Sequence, residues 1–94
     1  MNIVNFIPHG KENAVTRDML SARLALPDRR VRKLIEEARD RGELICNEGT
    51  GYFITDNIGD IERQYRKDRA RALSTLKRLK TMRRVLREHG RDVR

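Results

Sequence analysis

The sequence predicts one mainly α-helical domain carrying a small β-hairpin, and three observations support this. Two apolar stripes at helical spacing sit either side of the Leu26-Pro27 break, two β-prone runs surround a Gly-Thr-Gly turn, and an Arg-rich stretch beyond residue 56 keeps an apolar seam at helical spacing. With 94 residues there is room for a single small core, which excludes a multi-domain enzyme.

Composition narrows the function classes. Charged residues make up 38% of the chain and AVILMFWYC residues 37%, with two Tyr, two Phe and no Trp, which leaves little material for an aromatic-lined pocket; no small-molecule substrate is expected. Lys plus Arg number 22 against 14 acids, a net +8, and this surplus favours a polyanion, nucleic acid before an anionic membrane. Arg outnumbers Lys, and guanidinium groups grip phosphate and guanine edges in bidentate fashion. A single cysteine excludes an intramolecular disulfide, and no apolar run approaches the roughly 20 residues that span a bilayer. The start lacks a basic n-region and a cleavage site, so Met1 to Ile7 reads as a short strand or an arm and the chain as cytoplasmic.

Each element has its own signal. Thr16 is an N-cap residue for a helix over about Arg17 to Leu24, with Met19, Leu20 and Leu24 on one face. Pro27 breaks the chain and, with Asp28 at or next to the cap, opens a second helix to about Arg41, which Gly42 ends. In that helix Val31, Leu34, Ile35 and Ala38 form the buried stripe, opposite Arg29, Lys33, Glu36 and Asp40, with Arg30, Arg32 and Glu37 flanking. Leu44 to Asn47 and Tyr52 to Thr55 read as a hairpin whose glycines supply positive φ, and Ala14-Val15 as a short strand pairing with it. Asn57 with Asp60 resembles a capping box that opens a last helix to about His89, roughly 50 Å long at 1.5 Å per residue. Its seam is Ile58, Ile61, Tyr65, Ala72, Leu76, Leu79 and Leu86, interrupted by Asp68 and Arg69.

Charge divides the same way. Residues 1–62 hold 9 Lys/Arg and 11 Asp/Glu, a net −2, whereas residues 63–94 hold 13 and 3, a net +10. Residues 1–56 therefore read as a core with an N-terminal arm, and 57–94 as a long basic helix whose first turns pack on that core.

Short helix, tight turn, basic-ended second helix and hairpin follow the order of a winged helix-turn-helix, in which the second helix enters the major groove and the hairpin reaches the flanking backbone. The usual first helix is missing, and the start of the long helix, with Ile58, Ile61 and Tyr65, is the expected replacement. Leu20, Leu34, Ile35, Phe53 and Ile61 are then expected to be buried together. The chain resembles the small winged-helix proteins of bacteriophages and prophages. The resemblance rests on Ile7 to Arg17 (IPHGKENAVTR), Leu26 to Ile35 (LPDRRVRKLI), Gly51-Tyr52-Phe53, and Arg69-Ala70-Arg71-Ala72 with the later leucines. It implies a groove-binding DNA protein of regulatory, replication or recombination type. The sequence departs from that pattern at Ala25, where such turns often use Gly, and at Pro27, where a Ser-type cap is common.

The candidate site follows from these placements. Arg29, Arg30, Arg32, Lys33 and Glu36 are the expected groove residues of the second helix, with Thr16, Arg17 and Thr50 as contacts at the first helix start and the wing. Four bases in the first turns oppose the helix dipole, on the order of 0.3 to 1 kcal/mol each, whereas a solvated face would place acids there. In the tail, Lys77, Arg78, Lys80, Arg83, Arg84 and Arg87 are phosphate or partner contacts, and Tyr65, Ala72, Leu79 and Leu86 repeat every seven residues. A homodimer through this helix is expected, but Asp68 and Thr75 at the companion positions disfavour a parallel coiled coil and favour a short antiparallel helix or one packed on the domain. No catalytic residues, metal ligands or cofactor are expected: His9 and His89 stand apart, Cys46 reads as a buried apolar residue, and Thr16, Ser21 and Ser74 lack a base. The alternative is a protein-interaction or assembly module whose basic helix binds RNA or an acidic partner.

Overall fold

A computed structural model describes residues 2–49 and 51–91. The chain is mainly helical, with three α-helices and one three-stranded antiparallel sheet among the described residues. It forms two units, Met1–Gln64 and Tyr65–Arg94.

The first unit opens with two 3₁₀ helices, Ile3–Phe6 and Lys11–Asn13, followed by β1 (Val15–Thr16), α1 (Arg17–Leu24), α2 (Asp28–Asp40), β2 (Ile45–Glu48) and β3 (Gly51–Ile54). The last helix, α3 (Ile58–Glu88), begins in this unit and forms the second from Tyr65 onward. Thr16 caps α1 as its sequence position implied, its hydroxyl accepting from the Met19 N–H at 3.1 Å. Gly42, at φ +99°, closes α2: its N–H reaches the Arg39 carbonyl (2.9 Å) and the Glu43 N–H reaches Ala38 (3.1 Å).

The sheet runs β1-β3-β2, with Val15 opposite Tyr52 and Cys46 opposite Phe53. Glu48 faces Gly51, so both strands shift by one residue against expectation, leaving Leu44 and Thr55 outside. Only one of the two hairpin glycines supplies a positive φ, Gly49 at +57°. Gly51 is needed for space, because a Cβ there would stand 2.7 Å from the Ala14 Cβ.

The N-terminal segment corrects the expectation of a strand or free arm. Ile3 and Ile7 are buried in the core, the 3₁₀ helix Ile3–Phe6 packs on α2, and His9 bridges to Ile54 in parallel. This segment fills the position that the start of α3 was expected to take. Ile58 is 75% exposed, Tyr65 63% exposed and Ile61 half-buried, while Ile3, Ile7, Val15, Leu20, Val31, Leu34, Ile35, Ala38 and Ile45 form the core cluster. Phe53 is fully buried, yet strand alternation turns it to the sheet face opposite Tyr52 and Ile54, which pack on the cluster. On Phe53's face Cys46 Sγ lies 3.9 Å from the Asp60 carbonyl of α3.

Polar contacts attach the first turns of α3. Asn57 Oδ1 accepts from the Asp60 N–H at 3.1 Å, as a cap should. The reciprocal half of the expected box runs through Thr55, whose hydroxyl accepts from the Asn57 N–H (3.0 Å) and donates to the Asp60 carboxylate (3.1 Å). Gln64 covers the edge strand: its Oε1 accepts from the Asn47 N–H at 2.9 Å and its Nε2 donates to Asn47 Oδ1 at 3.1 Å. In the second unit α3 ends on Gly90, at φ +75°, with N–H groups of Gly90 and Arg91 bonded to Arg87 and Leu86.

Candidate nucleic-acid interface

The surface begins at the corner between α1 and α2. Ala25 takes a left-handed backbone there, φ +53°. Ser21 bonds the corner twice: its carbonyl accepts from the Leu26 N–H at 3.2 Å, and its hydroxyl donates to the Leu26 carbonyl. Arg17 Nε then reaches Asp28 Oδ1 at 2.9 Å, tying the start of α1 to the start of α2. The neighbouring Tyr52 hydroxyl, and after it Asp28, hold the Arg17 guanidinium in its charged form, above its ordinary pKa. Thr16 is committed to its cap and Arg17 to Asp28, so these two position the helices; with Asp18, Asn47, Gly49 and Tyr52 they line an open cleft of about 340 Å³. Thr50, the expected wing contact, lies outside the described residues.

Burial of Val31, Leu34, Ile35 and Ala38 fixes which face α2 presents. Arg29, Arg30, Arg32, Lys33 and Glu36 are all exposed on the remaining surface. Pro27 is the N-cap and contributes no side-chain bond, so the first N–H groups of α2 have no such cap. None of the four bases forms a salt bridge with a described residue, although Glu36 and Glu37 stand four positions after Arg32 and Lys33. That base-before-acid order is the weaker orientation of an i,i+4 pair. The outcome is an exposed, unbridged patch of positive charge in the first turns of α2, whose one first-turn acid, Asp28, is engaged by Arg17.

The hairpin is held against α2 by Arg39, which no pattern in the sequence singles out. Its Nε donates to the Ile45 carbonyl (2.9 Å), its Nη2 donates to Asn47 Oδ1 (3.0 Å), and its guanidinium lies 5.7 Å from the Tyr52 ring centre. Behind the hairpin, Glu48 bridges Lys11 (2.5 Å) and Arg63 (3.0 Å), and Arg63 also reaches Asp60. Lys11 first, then Arg63, lower the Glu48 carboxyl below its usual range, and Glu48 in turn raises Arg63. The fixed acid on the hairpin was the signal for Lys11 and Arg63.

In the second unit, Lys77, Arg78, Lys80, Arg84 and Arg87 are exposed and Arg83 is half-buried. Arg84 lies 3.9 Å from Glu88 and Arg78 donates to the Thr75 hydroxyl at 3.3 Å; the other four form no salt bridge among the described residues. Lys80, Arg83, Arg84 and Arg87 share one face at i, i+3, i+4, i+7 spacing. Among the described residues no helix is long and apolar enough to cross a membrane.

Comparison of the chain with protein-family models, with curated proteins and with solved structures finds no match. The chemistry of this surface therefore rests on its own residues.

Proposed function

We propose that the chain binds double-stranded DNA in the manner of a winged helix-turn-helix, with α2 in the major groove and the β2–β3 hairpin against the flanking backbone. The observation that supports it is the exposed, unbridged cluster of Arg29, Arg30, Arg32 and Lys33 on the uncapped first turns of α2. Such a cluster works against the helix dipole in the free protein, and phosphates and guanine edges offset it in a complex. Glu36, one turn on, supplies the acceptor that a cytosine amino group would meet. The basic part of α3 adds phosphate contacts and brings two copies together. The reading is of a cytoplasmic phage-type accessory factor in regulation, replication or recombination, acting by binding and not by catalysis. The alternative, an interaction module whose basic helix takes RNA or an acidic partner, is favoured by one feature, the separation of a net −2 part from a net +10 part.

Fluorescence anisotropy with random duplex DNA at two salt concentrations tests the reading, because a phosphate-binding protein loses affinity steeply with salt. Replacing Arg29 and Lys33 by Ala is expected to weaken binding to a selected site by about 1–3 kcal/mol for each base that α2 no longer reads, with the melting curve unchanged. Equal affinity in the double variant would take α2 out of the interface.

A further inference from the structure

Along the second unit, the apolar side chains of α3 follow a pattern that its basic character conceals. Ala72, Leu76, Leu79, Met82 and Leu86 are spaced 4, 3, 3 and 4 residues apart, so the row reads the same from either end about Leu79. At ~100° per residue these five lie within about 60° of Leu79, whereas Leu73 and Val85 fall about 120° away. All five are exposed, Leu76 at 57%, Leu79 at 43%, Met82 at 52% and Leu86 at 40%.

We propose that this row is a self-complementary surface on which two copies of the chain pair antiparallel about a two-fold axis at Leu79, and that the helix's own charge holds the pairing back until salt or a polyanion screens it. This rests on the pairing part of the function proposed above and not on base contacts by α2. The symmetric spacing selects a second copy as the occupant. A two-fold interface must match itself, and here Leu79 meets Leu79, Leu76 stands level with Met82, and the small Ala72 stands level with the large Leu86. A parallel pair would instead set Asp68 against Asp68 and Thr75 against Thr75.

The same axis brings like charges together. Arg78 and Lys80, on the two sides of Leu79, each approach their own counterpart, and Arg83 projects from within the row opposite a helix carrying the same charge. Residues 65–88 of α3 carry ten Lys/Arg and two Asp/Glu, so two such helices repel throughout their length. Screening weakens this repulsion and leaves the apolar contact almost untouched. DNA, as a polyanion, would act in the same direction as salt.

The test uses the full chain. Light scattering at about 0.01 M and about 0.15 M NaCl, where the screening length falls from roughly 30 to roughly 8 Å, is expected to show monomer at the lower salt and dimer at the higher. Leu79→Lys is expected to stay monomeric at both. Under oxidation Leu79→Cys should cross-link to itself, Ala72→Cys alone should not, and a mixture of Ala72→Cys with Leu86→Cys should, with the unsubstituted chain, whose Cys46 is buried, as control. Self-cross-linking of Ala72→Cys would overturn the antiparallel arrangement, and a dimer that persists in Leu79→Lys would place pairing elsewhere. Equal dimer at both salts would remove the role of charge. A chain monomeric at both salts, with no Leu79→Cys cross-link, would overturn the proposal and leave the row to an acidic helix of another protein. DNA anisotropy on Leu79→Lys separates the two ideas: binding that survives in a monomer leaves the α2 reading standing.

Discussion

Ala25 carries a left-handed backbone at the corner between α1 and α2, where its Cβ crowds the chain and its exposed side chain contributes no packing. Glycine avoids that crowding but adds freedom to the unfolded chain, so Ala25→Gly is expected to raise stability by a net amount below about 1 kcal/mol, read as a melting point a few degrees higher. The corner itself could be read in the sequence from Leu26-Pro27, and so could the cap at Thr16 and the stop at Gly42. Ser21, Arg39 and Gln64 could not. Each bonds a partner 5 to 17 positions away, and such contacts leave no periodic trace; only the fold brings the partners together.

Among the elements, α1, α2 and α3 begin and end within a residue of where caps, proline and glycine place them, since a helix end is written locally. The 3₁₀ helix Ile3–Phe6 was not legible, because one turn is too short to show a period and its burial depends on α2. That omission transferred Ile61 to the core and left Ile3 out of it. Core truncations distinguish the two assignments. Leu34→Ala is expected to cost about 2–5 kcal/mol in a denaturant melt, whereas Ile61→Ala, removing a half-buried side chain, should cost under about 1 kcal/mol. The candidate surface on α2 was legible because burying one stripe determines the other, although the role of Arg17 in joining two helices was not.

Across the whole molecule, charge is segregated by sequence position, and the consequence is measurable by truncation. Ending the chain after Arg78 removes Lys80, Arg83, Arg84, Arg87, Arg91 and Arg94 while keeping every residue of the first unit. Binding to all duplexes is expected to weaken about equally, with the slope of log affinity against log salt falling by roughly 0.9 for each phosphate no longer neutralised, and discrimination between sites surviving. An unchanged slope in the shortened chain would show that these six bases do not track phosphates.

The bonds between the N-terminal segment and β3 also set an order of events in time. The Ile54 N–H donates to the Pro8 carbonyl at 2.9 Å and the Gly10 N–H to the Ile54 carbonyl at 3.0 Å, closing a loop of more than forty residues, whereas the α1–α2 corner and the β2–β3 hairpin join near neighbours. Loop-closure entropy favours the local pieces first and the N-terminal closure late. Contacts that form after the barrier affect escape from the native state and not arrival at it. Ile3→Ala should therefore steepen unfolding in stopped-flow traces, by several-fold in rate, while refolding proceeds at nearly the parental rate. The segment acts as a latch on a domain that has already taken shape.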